Sequence, residues 1–180
     1  MHDETTRQVL ESQQSKYFGK YRGLVRDNMD IFQRRGRLKV VVPQVLGEAE
    51  VWAMPCVPFA GSGVGMFAMP PVGTPVWVEF EAGDPTYPIW TGCVWPLNDI
   101  DVTDLVGSTN KFLKTDMFTL HFDELKGELS IKSKGLSEIV ISAQEIKIKA
   151  PIVTVENGIG AKLELTGIKI GLNNGAFEVM

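Results

Sequence analysis

The chain is short of most residues that do chemistry. In 180 residues there are two cysteines, Cys56 and Cys93, and two histidines, His2 and His121. Two cysteines do not make a disulfide framework, and no C-x-x-C pair suggests a zinc or redox motif. Both sit among apolar residues in predicted strands, so they are expected to be buried free thiols. Positive charge is not in excess either. Eighteen basic side chains against 22 acidic ones leave a formal charge of −4, which argues against a dedicated nucleic-acid binder. No apolar run approaches the roughly 20 residues of a membrane-spanning helix. The polar start, Met1-His2-Asp3-Glu4-Thr5-Thr6-Arg7, has no signal-peptide character. Cytoplasmic synthesis and assembly are therefore expected.

What is present is β-forming sequence in two styles. Residues 1–16 are polar, and a short helix over Thr6–Gln14 would have only Val9 and Leu10 to bury, so this segment is read as an arm. Residues 17–96 are rich in aromatic, β-branched, Gly and Pro residues. Strands are predicted at Tyr17–Asp27, Arg37–Val42, Val51–Met54, Val76–Glu81 and Ile89–Trp95, separated by turn signals such as Asn28-Met29-Asp30, Val45-Leu46-Gly47-Glu48 and Gly83-Asp84-Pro85. Five short strands in this length suggest a small closed barrel of the OB type; a sandwich usually has more. Residues 97–115 are polar and read as a linker. Residues 116–180 alternate with period two, as in Ile139-Val140-Ile141 and Ile146-Lys147-Ile148-Lys149, with glycine punctuation that suggests a degenerate β-helix or solenoid.

The C-terminal alternation predicts an apolar face: Leu129, Ile131, Ile139, Ile141, Ile146, Ile148, Val153, Val155, Leu163, Leu165, Ile168 and Ile170. One chain of short strands has no second layer to cover that face, and its open edges invite aggregation. Several copies wound together solve both problems under cyclic symmetry. Three copies make a prism with one apolar face per side, so a homotrimer is expected.

Few motifs point to chemistry. Gly61-Ser62-Gly63-Val64-Gly65 lacks the Gly-Lys-Ser/Thr of a phosphate loop, and Pro70-Pro71 blocks the helix such a loop needs, so a flexible barrel loop is expected. His121 lies close to Asp123 and Glu124, which admits an acid–base pair or a shared metal on a symmetry axis, but no nucleophile accompanies them and a solvated strand face explains them equally well. No catalytic residue, cofactor or metal is expected. The aromatics Trp52, Trp77, Trp90, Trp95, Phe59, Phe67, Phe80 and Tyr87 could stack bases in an OB fold; the acidic balance favours core and interface roles. Lys132, Lys134, Lys147, Lys149, Lys162 and Lys169 are expected on the solvated face.

The barrel segment carries an ordered set of motifs. It reads Gly23-Leu24-Val25-Arg26-Asp27-Asn28, then Arg35-Gly36-Arg37-Leu38-Lys39-Val40-Val41-Val42-Pro43, Trp52 and Pro58-Phe59-Ala60-Gly61. Gly65-Met66-Phe67-Ala68-Met69-Pro70 and Val72-Gly73-Thr74-Pro75-Val76-Trp77-Val78 follow. Phe80-Glu81-Ala82-Gly83-Asp84-Pro85-Thr86-Tyr87-Pro88 and Gly92 complete it. This resembles the OB domain of the phage baseplate assembly protein V and VgrG spike family, whose trimeric β-helical needle the later strands also resemble. The resemblance implies an all-β protein, a five-stranded OB barrel followed by an interwound trimeric β-helix or β-prism. It implies the structural central spike of a contractile injection machine in a virion tail or injection-particle baseplate, capping the tail tube and driven through a target cell envelope. Only about 16 residues precede the barrel, so the hub is expected to be a separate protein. The linker is too short for an inserted lysozyme domain. No His-x-His apex follows His121, so the end is expected to receive a separate PAAR-type tip protein on Phe177, Val179 and Met180. The reading from another class is an OB-fold module for oligonucleotides or glycans with a trimerising tail.

Overall fold

The barrel closes through five strands that the hydrophobic pattern marks out. A computed structural model describes residues 16–100 and 107–179, and the chain divides into two compact units between Asp99 and Ile100. In the first unit, β1 (Tyr21–Asp27), β2 (Leu38–Val41) and β3 (Glu50–Pro55) form an antiparallel meander. A single helical turn, α1 (Pro43–Leu46), joins β2 to β3 where a plain turn was expected. Two very short strands, β4 (Ala60–Gly61) and β5 (Val64–Gly65), pair as a hairpin in the glycine-rich segment read as a flexible loop. β6 (Pro75–Phe80) and β7 (Pro88–Cys93) complete the barrel in the order β1-β2-β3-β7-β6. β3 and β7 run parallel and every other barrel pair is antiparallel, the Greek-key closure of an OB fold.

Alternation fills this barrel. Val25, Leu38, Val40, Val42, Val76 and Val78 are fully buried, with Phe80 and Trp90 beside them. Gly23 lies where β1 crosses this core: an added Cβ would sit 2.9 Å from Val78 Cγ2 and 3.3 Å from the Val41 carbonyl. Strand direction sorts the connections by end. The β1–β2 loop, residues 56–74 and the exit after Cys93 lie at one end of the barrel. The β2–β3 and β6–β7 connections lie at the other, where Tyr17 N–H donates to the Gly83 carbonyl at 2.8 Å.

Both cysteines are exposed rather than buried. Cys56 follows the last residue of β3, and Cys93 ends β7 just past an irregularity in its pairing with β6. At strand ends the alternation that buries mid-strand residues no longer has a core to point into. The Cys93 thiol borders an open hollow of about 630 Å³ beside Thr74 and Trp95, and its partial burial pushes its pKa up, away from the reactive thiolate.

The second unit consists of two antiparallel meanders. β8 (Asn110–Lys114), β9 (Phe118–Asp123), β10 (Glu128–Ser133), β11 (Glu138–Ile141) and β12 (Ile146–Lys149) form the first; β13 (Ile152–Glu156), β14 (Lys162–Thr166), β15 (Lys169–Leu172) and β16 (Phe177–Val179) form the second. β8 corrects the linker reading of 97–115: Phe112 and Leu113 are adjacent, so no alternation marks this strand, which pairs with β9 along five residues. Every strand here pairs antiparallel with its sequence neighbour. The strands of one chain therefore do not stack as a parallel solenoid. Residues 1–15 of the expected arm 1–16 lie outside the described residues, as do 101–106.

Candidate assembly surfaces

Register assigns each residue of the two meanders to a face. In the first, Leu113, Leu120, Ile131, Ile139 and Ile148 are aligned across five strands, and Phe122, Leu129, Ile141 and Ile146 form the neighbouring row. In the second, Val153, Leu165, Ile170 and Val179 make one row and Val155, Leu163, Leu172 and Phe177 the next. Each meander thus presents an apolar face. None of these side chains is fully buried in the single chain, and Ile146 is 70% exposed. Contiguous exposed apolar surface on this scale marks an interaction site.

Eleven of the twelve residues expected on the apolar face occupy these rows. Ile168 does not: it follows Gly167 in the β14–β15 turn, outside both strands, and is 87% exposed. The residues missed were Leu120, Phe122 and Leu172, which carry the same period-two signal, and Leu113, whose strand does not alternate. Phe177 and Val179, expected as a docking surface, continue the second face on β16. Met180 lies outside the described residues.

The opposite faces are mainly polar, with Phe112, Val140 and Ile152 as the large apolar residues on them. Lys132 pairs with Glu138 at 2.9 Å across β10 and β11, and Lys162 with Glu164 along β14. Lys132 beside Glu138 holds that carboxyl below its ordinary range. Lys149 stands opposite Glu138 in register. His121 and Asp123 share this face of β9 but serve different partners. His121 Nε2 lies 3.0 Å from Asn110 Oδ1, Asp123 pairs with Lys126 at 2.9 Å, and Glu124 pairs with Lys111. The Lys126 contact lowers the Asp123 pKa. Among the described residues, no three His, Cys, Asp or Glu side chains are grouped to hold a metal.

On the barrel, one loop is held rigid from within. Asp30, whose side chain is 4% exposed, accepts from Arg37 Nε at 3.1 Å and Nη2 at 2.8 Å, and from the Arg35 N–H at 3.0 Å. The Arg37 guanidinium holds this carboxyl well below the usual carboxylate range. Trp90 Nε1–H donates to the Gly36 carbonyl at 3.2 Å, tying the loop to β7, and Gly36 supplies the positive φ of 72°. Arg37 and Lys39 lie over the Trp52 ring at 5.0 and 5.3 Å.

The barrel topology and its motifs meet in one comparison. Residues 21–95 match the family described as the type VI secretion system/phage-baseplate injector OB domain. Residues 21–95 are thus similar to this injector OB domain. The match covers β1 to β7 and ends at Trp95, so the injector OB domain coincides with the closed barrel and stops before the meanders. No curated protein matches the chain. That similarity supports a baseplate-associated structural role. No helix among the described residues is long and apolar enough to cross a membrane.

Proposed function

We propose that the protein is the structural central spike of a contractile injection machine, in a phage tail, a tailocin or a related system. It works as a homotrimer that caps the tail tube below a separate hub protein. It meets the target envelope with a separate PAAR-type tip protein on its far end, and its role is mechanical rather than catalytic. The observation that carries this reading is the pairing of an injector OB barrel with two meanders whose apolar faces have no cover in one chain. Three copies supply the cover: each contributes one wall of a three-sided prism, with Ile139 and Ile148 turned to the axis and Lys132 and Lys147 to solvent. Wound chains of this kind couple topologically, which suits a part that must transmit force without unfolding.

The test is the native mass of the full chain by light scattering after size exclusion. A species of three times 19.9 kDa that persists in mild denaturant is expected. A stable, soluble monomer would overturn the reading.

A further inference from the structure

Exposed apolar side chains on the barrel gather at one end. Met29, Ile31, Phe32, Phe59, Val64 and Phe67 all belong to the β1–β2 loop or to residues 56–74, at the end where the chain leaves the barrel; at the opposite end, among the described residues, only Phe18 and Tyr87 are large, apolar and exposed. Two features there are complementary. The first is a projection: Phe32 is 92% exposed and follows two residues after Asp30, whose hydrogen bonds hold the loop backbone before any partner arrives. The second is a groove of about 410 Å³ between that loop and the β4–β5 hairpin, lined by Gly36, Val64, Phe67 and Met69. Phe32 does not line this groove or the adjoining one of about 430 Å³ that shares Phe67 and Met69. An aromatic projection that misses its own groove cannot satisfy it within the chain.

We infer that Phe32 of one copy inserts into the Phe67–Met69 groove of the next, so that the barrels form their own ring contact. The inference rests on the trimeric reading above. A knob and a separate hole on one surface make a head-to-tail contact, and such contacts close into rings under cyclic symmetry. The occupant is a second copy because of tethering. Cys93 leaves the barrel at this same end, and β8 begins at Asn110. Copies joined through their meanders therefore keep these barrel ends within a short span of chain, at an effective concentration on the order of millimolar. Three phenylalanines this exposed contribute on the order of 400 Å² of apolar surface, the scale of a functional patch. A loop whose backbone is already held loses little backbone entropy on docking.

The test places a photo-reactive benzoyl-phenylalanine at position 32 of the full-length chain, purified alone. Native mass is measured first, then cross-linked products are read on a denaturing gel and mapped by mass spectrometry. Species of two and three chains, joined through residues 59–69 of another copy, are expected. Phe67→Ser, at a position 79% exposed and so tolerant of substitution, should cut their yield about tenfold, as loss of an interface anchor does. A trimeric mass with no cross-link, or with links elsewhere, overturns the ring contact and leaves the spike reading standing. A monomeric mass overturns both.

Discussion

Gly23 and Asp30 are the residues on which the barrel's shape depends most directly. Gly23 has no left-handed backbone to justify it; its reason is space, since Val76 and Val78 pack where a Cβ would stand. Valine is stiff at χ1, so neither neighbour can turn aside. Gly23→Ala should destabilise the barrel by about 1–3 kcal/mol through overpacking, and Leu38→Ala by about 2–5 kcal/mol through a cavity. Tryptophan fluorescence during urea unfolding reads both, since all four tryptophans lie in residues 52–95. Asp30 adds a pH dependence. Its folded pKa is depressed below the ordinary value of about 4, so the folded state binds fewer protons there than the unfolded chain. The stabilisation is complete above about pH 4 and is lost as pH falls below it. Asp30→Asn removes this contribution at every pH. The gap in urea midpoint between wild type and variant should therefore be widest near neutrality and shrink as pH falls from about 4 toward 2; parallel curves would show that Asp30 is not held by Arg37.

At the scale of the element, the apolar rows make a sharp contrast between positions of similar composition. Ile139 stands mid-row between Ile131 and Ile148, whereas Ile168 sits in a turn. Ile139→Lys should destabilise assembly by about 2 kcal/mol or more and shift the native mass toward single chains, while Ile168→Lys should leave the mass unchanged. Equal behaviour of the two variants would mean that the rows are not an interface. These elements also show why parts of the fold were legible. Period-two alternation identifies a strand and its face without any tertiary information, so eleven face residues follow from it, while the five barrel strands follow from short apolar runs set between turn signals. Ile168 followed the same pattern by coincidence, because Gly167 at φ 59° turns the chain just before it. β8 has no alternation to read, since Phe112 and Leu113 are adjacent between lysines, whereas Phe122 does alternate with Leu120 across His121. The exposure of Cys56 and Cys93 depends on where strands end, and the barrel groove on residues 29–36 meeting 64–69. Neither is written in local sequence.

For the whole molecule, the decisive contrast is between a unit that completes its own core and one that does not. Every fully buried apolar side chain among the described residues belongs to the barrel; in the meanders Ser130 alone is buried. The barrel should therefore hold its fold as a single chain, while the meanders should hold theirs only as fast as copies associate. Two probes separate the units, because tryptophan fluorescence sees the barrel and far-ultraviolet circular dichroism sees both. On thermal unfolding the two signals should not coincide, since the molecule is not a single two-state unit. Dilution should move them differently. An assembly of three chains loses two associations' worth of concentration dependence, about 2.7 kcal/mol per trimer for each tenfold dilution. The dichroism transition should fall in temperature accordingly. The fluorescence transition should move less, by whatever the contact at Phe32 contributes, and Phe32→Ser should make it independent of concentration. If both signals instead stayed fixed on dilution, each chain would be closing its own apolar faces, and the prism would have to be abandoned.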